Sequence, residues 1–143
     1  MNGPLLMDTD VFLLLLRQRD AARELDVRYG LATSPSRPLV STVSLGEALA
    51  YATAAGWRHR DDNWLLKASK SFVVVDLSAD VLHEFGHLAA LYPELGDNDI
   101  WIVATARVCG ATILTCDARL AAWTEAREHV ELVGGLEDGP AEA

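Results

Sequence analysis

Short apolar runs alternate with helix-patterned stretches from one end of the chain to the other, and few architectures accommodate that rhythm. The runs are "PLLM" ending at Met7, "PLVSTV" ending at Val43, "FVVVDL" ending at Leu77, "ATILTC" ending at Cys116 and "VELV" ending at Val133. Segments of this length and composition, separated by helix-length connections, predict parallel strands joined by crossover helices. Helices are expected as a pair over Val11–Arg28, then over Leu45–Ala55, Asp61–Ser69, Ala79–Leu91, Ile100–Cys109 and Ala118–His129. Gly56 and Gly110 stand where helix C-caps belong.

A chain of 143 residues, half of them hydrophobic, suits one domain with a single core. The run "VFLLLL", Val11 to Leu16, stops at Arg17, far short of the ~20 residues a membrane-spanning helix requires. Asp8 and Asp10 interrupt the N-terminal apolar stretch and no basic segment precedes it, so no secretory leader is expected and the setting reads as cytoplasmic. Cys109 and Cys116 lack the spacing of a zinc knuckle and read as buried free thiols. The formal charge of −9 speaks against binding through a broad basic surface. A nucleic-acid substrate would need local cations or metal ions, and a basic protein partner would be equally welcome. Tyr29–Pro38, "YGLATSPSRP", is long for a connecting loop; Gly134–Ala143, "GGLEDGPAEA", reads as a mobile acidic tail beyond a domain over residues 1–133.

His83 to His87, "HEFGH", matches the pattern that places two zinc ligands and a general base on one helix. The surrounding periodicity puts Val81, Phe85, Leu88 and Tyr92 on one stripe, widened by Leu82 and Ala89, so both histidines face away from it. A catalytic zinc needs a third protein ligand, and none is well placed. Ala90 and Pro93 stand where an extended motif requires Gly and His, and Glu94 follows too closely to lie on a second helix. Two solvated surface histidines are the simpler reading, with a zinc peptidase using His83, Glu84 and His87 as its rival.

The acidic residues are more systematic. Asp8 and Asp10 follow the first strand, Glu47 opens the helix after the second, Asp97 and Asp99 open "IWIVATARVCG", and Asp117 follows "ATILTC". Each has a local explanation: "SLGE", Ser44 to Glu47, is a capping box, the aspartates are good N-caps, and carboxylates at helix N-termini are favoured by the macrodipole. In a parallel sheet, however, the carboxyl ends of all strands share one edge, and ligands bind there where strand order reverses. If the first and fourth strands are neighbours at that point, Asp8 and Asp117 face each other, flanked by Glu47 and Asp99. Charges so placed repel strongly, and a divalent cation relieves them. Hard oxygen ligands select Mg²⁺ or Mn²⁺ over zinc, and such an ion can activate water against a phosphodiester. Phosphoryl hydrolysis is the chemistry implied.

The stretches "LLMDTDVFLLLL", "STVSLGEALA" and "LGDNDIWIVATARVCGATILTCDARL", in that order, resemble the PIN domain, particularly the VapC-type ribonuclease toxins of bacterial toxin–antitoxin pairs. The resemblance covers nearly the whole chain. The family's first acidic residue, in a D-T-[NDS] turn after strand one, matches Asp8, with Asp10 at a position often held by Asn or Ser. Its glutamate matches Glu47. Its third acidic residue, in an N-D-x-x-I-A-A-T-A-like helix start, matches Asp99, with Asp97 an extra carboxylate nearby. The fourth, in a T-x-D turn, matches Asp117, and Thr115 is the accompanying hydroxyl.

The resemblance implies a three-layer α/β/α domain around a parallel sheet of about five strands. It also implies Mg²⁺- or Mn²⁺-dependent endoribonuclease activity on RNA, frequent homodimerisation, and neutralisation by a cognate antitoxin with a basic segment. On this reading Asp8, Glu47, Asp99 and Asp117 are both catalytic residues and metal ligands, while Thr115, Asp10 and Asp97 orient ligands or waters beside them. "HEFGH" and the long Tyr29–Pro38 segment depart from the family pattern.

Two further alternatives stay open. "MDTDV" and "GDNDI" are similar to motifs of haloacid-dehalogenase-like phosphatases, with Asp8 as nucleophile and Asp10 as general acid. In those enzymes the later motif follows a buried strand, whereas "HLAALYPEL" reads as a helix end and a turn. The acidic edge could also be a structural cation site or a docking surface without turnover.

Overall fold

The computed structural model of the protein describes residues 3–17, 19–30, 37–56, 70–123 and 130–133. Its strands are β1 (Leu5–Met7), β2 (Leu39–Ser41), β3 (Val73–Val75), β4 (Thr112–Thr115) and β5 (Val130–Leu132), each inside its expected apolar run. All pair in parallel, in the order β3-β2-β1-β4-β5. Strand order therefore reverses between β1 and β4. The helices are α1 (Thr9–Arg17), α2 (Arg19–Tyr29), α3 (Thr42–Ala54), α4 (Ala79–Leu91), α5 (Asp97–Cys109) and α6 (Ala118–Ala122). The helix expected over Asp61–Ser69, the last helix beyond Trp123, most of the Tyr29–Pro38 segment and the Gly134–Ala143 tail lie outside the described residues.

Successive side chains of a strand point to opposite faces. Leu6 and Ile113, paired in register, pack against Val81 and Leu88 of α4, Ile100 and Val103 of α5 and Leu120 of α6. Their neighbours Met7 and Leu114, also paired, pack with Val40 against Val11 and Phe12 of α1, Leu25 of α2 and Ala48 of α3. These strands are thus covered on both faces, which makes three layers and explains why they read as continuous apolar runs. Among the described residues no helix is long and apolar enough to cross a membrane.

Three helices begin before the pattern predicts: α1 at Thr9 rather than Val11, and, with more consequence for the site, α3 and α5. Thr42 and Val43 extend the strand-like composition of "PLVSTV", but Ser41 ends the strand. Its hydroxyl accepts from the Ser44 N–H at 3.1 Å, which makes it the N-cap of α3. The capping box expected at Ser44–Glu47 is thereby corrected: Ser44 is the third helical residue, and Glu47 lies in the second turn instead of opening the helix. Likewise α5 starts at Asp97, not Ile100, with Gly96 as an N-cap that offers no side chain. Asp97 and Asp99 occupy its first turn without acting as N-caps. At the other end Gly110 takes the left-handed conformation (φ 63°) expected of a helix terminus, and Gly56 does the same after α3. On α4 the stripe of Val81, Phe85, Leu88, Ala89 and Tyr92 packs into the core as expected, but Leu82 is exposed and does not widen it.

Candidate active site

Asp8 lies one residue past β1, and its N–H donates to the Leu114 carbonyl of β4 at 2.9 Å. That bond seats Asp8 beside the end of β4, where Thr115 is fully buried. The Thr115 hydroxyl donates to Asp8 Oδ2 at 2.8 Å and accepts from the Asp117 N–H at 3.0 Å. One hydroxyl thus joins the turns that follow β1 and β4. Asp10, in the first turn of α1, reaches the same place. Both its oxygens lie 3.2 Å from the Cys116 N–H, and Oδ2 is 3.4 Å from Thr115 Oγ1. Asp117 does cap its helix, as the local reading expects: Oδ1 accepts from the Arg119 N–H at 2.9 Å, and the exposed Arg119 guanidinium stands 3.5 Å from the same oxygen.

Ionisation reflects this crowding. Burial, and after it the charge of Asp10, push the Asp8 carboxyl from 3.8 up to about 6, against the hydrogen bonds from Thr115 and the Thr9 N–H; Asp99 adds a smaller push. Asp10 is raised by burial above all, with the Cys116 N–H opposing and Asp117 contributing. Asp99 is raised by burial and then by Asp117, with Arg119 opposing. Carboxylates from three separate segments therefore feel one another across the point where strand order reverses.

Glu47 approaches from α3. Its Oε1 accepts from the Thr9 hydroxyl at 2.6 Å and its Oε2 from the Asn98 side-chain amide. Ser44 Oγ stands 3.1 Å from the same Thr9 hydroxyl. Thr9 and Asn98 are not among the expected site residues, although each stands beside its acidic residue in a family motif, Thr9 in D-T-[NDS] and Asn98 in N-D-x-x-I-A-A-T-A.

The expected site residues divide accordingly. Asp8, Asp10, Asp99, Asp117 and Thr115 meet or couple at the β1/β4 edge, and Glu47 is joined to them through Thr9 and Asn98. Asp97 is exposed on the first turn of α5, outside this set of hydrogen bonds. The donors are carboxylate and hydroxyl oxygens, and their mutual repulsion suits a hard divalent cation. As the side chains stand, no three His, Cys, Asp or Glu among the described residues gather closely enough to hold a metal, so binding one would require some of them to turn. On α4, His83 and His87 are exposed, and Glu84 accepts from Arg107 of α5 at 3.0 Å. The carboxylate that a peptidase would need as its base is half of an ion pair. Trp101 stacks on Phe85 with ring centroids 3.7 Å apart, against the core, as a packing residue would.

The sequence profile of the PIN domain matches residues 5–125. The chain belongs to the PIN domain family. PIN-domain proteins are nucleases that generally use divalent metal ions, so the match sets aside the phosphatase and peptidase alternatives. Among solved structures, this PIN domain is similar to a toxin–antitoxin complex from Klebsiella pneumoniae, with a TM-score of 0.67 and 21% identity over 89% of this chain and 95% of that one. It is also similar to VapBC2 from Rickettsia felis bound to a DNA fragment from its promoter, with a TM-score of 0.69 and 18% identity over 90% and 97% of the two chains. For VapBC-1 from nontypeable Haemophilus influenzae the values are 0.68, 15%, 90% and 96%. At such identities the likeness is one of fold. A search of curated proteins found no match.

Proposed function

We propose that this PIN-domain protein is a divalent-metal-dependent endoribonuclease and serves as the toxin of a type II toxin–antitoxin pair. The supporting observation is the Thr115 hydroxyl, which ties the turn bearing Asp8 to the turn bearing Asp117 on a rim that Asp99 also shares. Asp8, Glu47, Asp99 and Asp117 would hold the ion. Mg²⁺ or Mn²⁺ bound there supplies a water of lowered pKa and positive charge for the departing oxygen. Thr115 and Asp10 keep Asp8 and the β4 turn in place through the bonds described above. With a net charge of −9, RNA must be met by the ion and by local cations such as the exposed Arg119 beside Asp117.

The toxin role is supported by the similar solved structures, which are toxin–antitoxin assemblies. An antitoxin with a basic segment would find charge complementarity on the acidic rim. Homodimerisation and a cytoplasmic setting belong to the same reading.

The test is to strip the protein of metal, incubate it with a panel of RNAs, and return Mg²⁺ or Mn²⁺. Cleavage is expected only with metal, and a cognate antitoxin should suppress it. Metal binding without cleavage of any RNA would put a docking module in place of the enzyme. Replacing His83 and His87 together by Ala should leave cleavage unchanged, because both lie on the exposed side of α4 and Glu84 is engaged by Arg107. A large loss in that double variant would revive the zinc chemistry.

A further inference from the structure

We propose that Thr9 and Asn98 are positioning residues that clamp the two oxygens of Glu47 and so present this carboxylate to the metal-binding rim already aimed. The proposal rests on the nuclease reading above, and it gives a role to the two neutral residues that stand beside the acidic ones in the D-T-[NDS] and N-D-x-x-I-A-A-T-A-like stretches.

Glu47 sits in the second turn of α3, and Ser41 already provides the cap of that helix, so no local backbone group claims the glutamate side chain. The carboxylate is instead held from two sides. The Thr9 hydroxyl donates to Oε1 at 2.6 Å, and the Asn98 amide donates to Oε2. Thr9 lies between Asp8 and Asp10 at the start of α1; Asn98 immediately precedes Asp99 in the first turn of α5. Each clamp residue is therefore covalently adjacent to a carboxylate of the rim. The direction of Glu47 is tied through one bond to the Asp8 turn and through the other to the Asp99 turn.

The chemistry of the two donors suits this role. A carboxylate oxygen accepts in two directions, so one hydrogen bond to each leaves a lone pair on each for an ion or an ion-bound water. Hydroxyl and amide donors are neutral, and they aim the group without cancelling the negative charge a cation requires. A lysine or arginine in either place would aim it and also neutralise it. A glutamate left free on a helix must give up rotamer freedom whenever it binds; the clamp removes that freedom in advance. Hydrogen-bonded partners of metal-ligating carboxylates are known to act in this way.

The experiment is Mn²⁺ binding to the full chain, without RNA, by calorimetry, together with the melting temperature in EDTA. Thr9→Val keeps the shape and removes the hydroxyl, Thr9→Ser restores it, and Asn98→Ala removes the amide. Thr9→Val and Asn98→Ala should each raise the Kd for Mn²⁺ about tenfold, with Thr9→Ser close to wild type and all three melting in EDTA as the wild type does. An unchanged Kd in both Thr9→Val and Asn98→Ala overturns the proposal. A lower Kd also overturns it, since the bonds would then be holding Glu47 away from the ion. Loss of affinity in Thr9→Ser equal to that in Thr9→Val overturns it too, because the hydroxyl would not matter. If the wild-type chain binds no Mn²⁺, the nuclease reading itself fails and the clamp falls with it, a result distinct from the other three.

Discussion

Asp8→Asn is expected to slow RNA cleavage by about 1000-fold, the order lost when a group that meets charge at the reacting centre is removed, while the protein stays folded. The fold survives because the hydrogen bonds around position 8 can be rearranged. Asp8 Oδ1 accepts from the Thr9 N–H at 2.8 Å and Oδ2 from the Thr115 hydroxyl at 2.8 Å. In the variant the amide oxygen keeps the first bond, and the amide nitrogen donates to Thr115, which turns its own proton toward Asp10 Oδ2, 3.4 Å away. Only the charge is lost, and the charge is what binds the ion. Asp97→Asn is the matched control. That residue is exposed and outside the hydrogen-bonded set, so its variant should cleave as wild type does. The measurement is kcat with saturating RNA and Mn²⁺. An Asp8→Asn protein that keeps most of its activity, or an Asp97→Asn protein that loses it, would show that the reacting centre lies elsewhere.

The inner strands β1 and β4 were legible because both of their faces are covered. Leu6 and Met7, or Ile113 and Leu114, look the same in sequence since each pair serves two cores. Carboxylates gathering at one edge could be inferred once a parallel sheet was inferred, but the adjacency of β1 and β4 had to be assumed, and only the strand order supplies it. Helix starts were harder. Thr42 and Val43 favour a strand by their branching, and a single hydroxyl, that of Ser41, outweighs them. Gly96 offers no capping side chain, and apolar periodicity begins only at Ile100, so the first turn of α5 carries no pattern.

Those two boundaries decide how Glu47 and Asp99 are read. A glutamate thought to complete a capping box looks occupied; one in the second turn is available to other donors. The donors that take it come from 38 and 51 residues away along the chain. No local pattern registers such a bond. Asp10 is the converse case: it matches a motif position often held by Asn or Ser, and its carboxylate serves the Cys116 N–H as either of those side chains could.

Without metal, the protein should lose stability as pH rises from about 4 to about 6, and Asp8→Asn should remove most of that loss. The folded state holds the Asp8 proton up to about 6, whereas the unfolded chain releases it near 3.8. Between those values the folded state binds more protons, so stability falls with rising pH, and the contribution present below the lower value is gone above the upper one. The size is at most about 3 kcal/mol, from ~1.4 kcal/mol per pH unit. Asp10 and Asp99 are raised for the same leading reason and act in the same direction. A divalent ion reverses the sign of the problem. It binds the ionised carboxylates of the folded state alone, and at about 100 times its Kd it adds roughly 2.7 kcal/mol. Its effect must fade in acid, where protons compete for the same oxygens. Melting temperatures at pH 4.5 and 7.5, in EDTA and with Mn²⁺, measure both halves in wild type and Asp8→Asn. In EDTA at pH 7.5 the variant should melt above the wild type, since it no longer buries an ionised carboxylate. With Mn²⁺ the order should invert, because only the wild type gains the ion. Equal Mn²⁺ shifts at the two pH values, or a wild type that melts above the variant in EDTA at pH 7.5, would mean that repulsion among these carboxylates is not what the ion relieves.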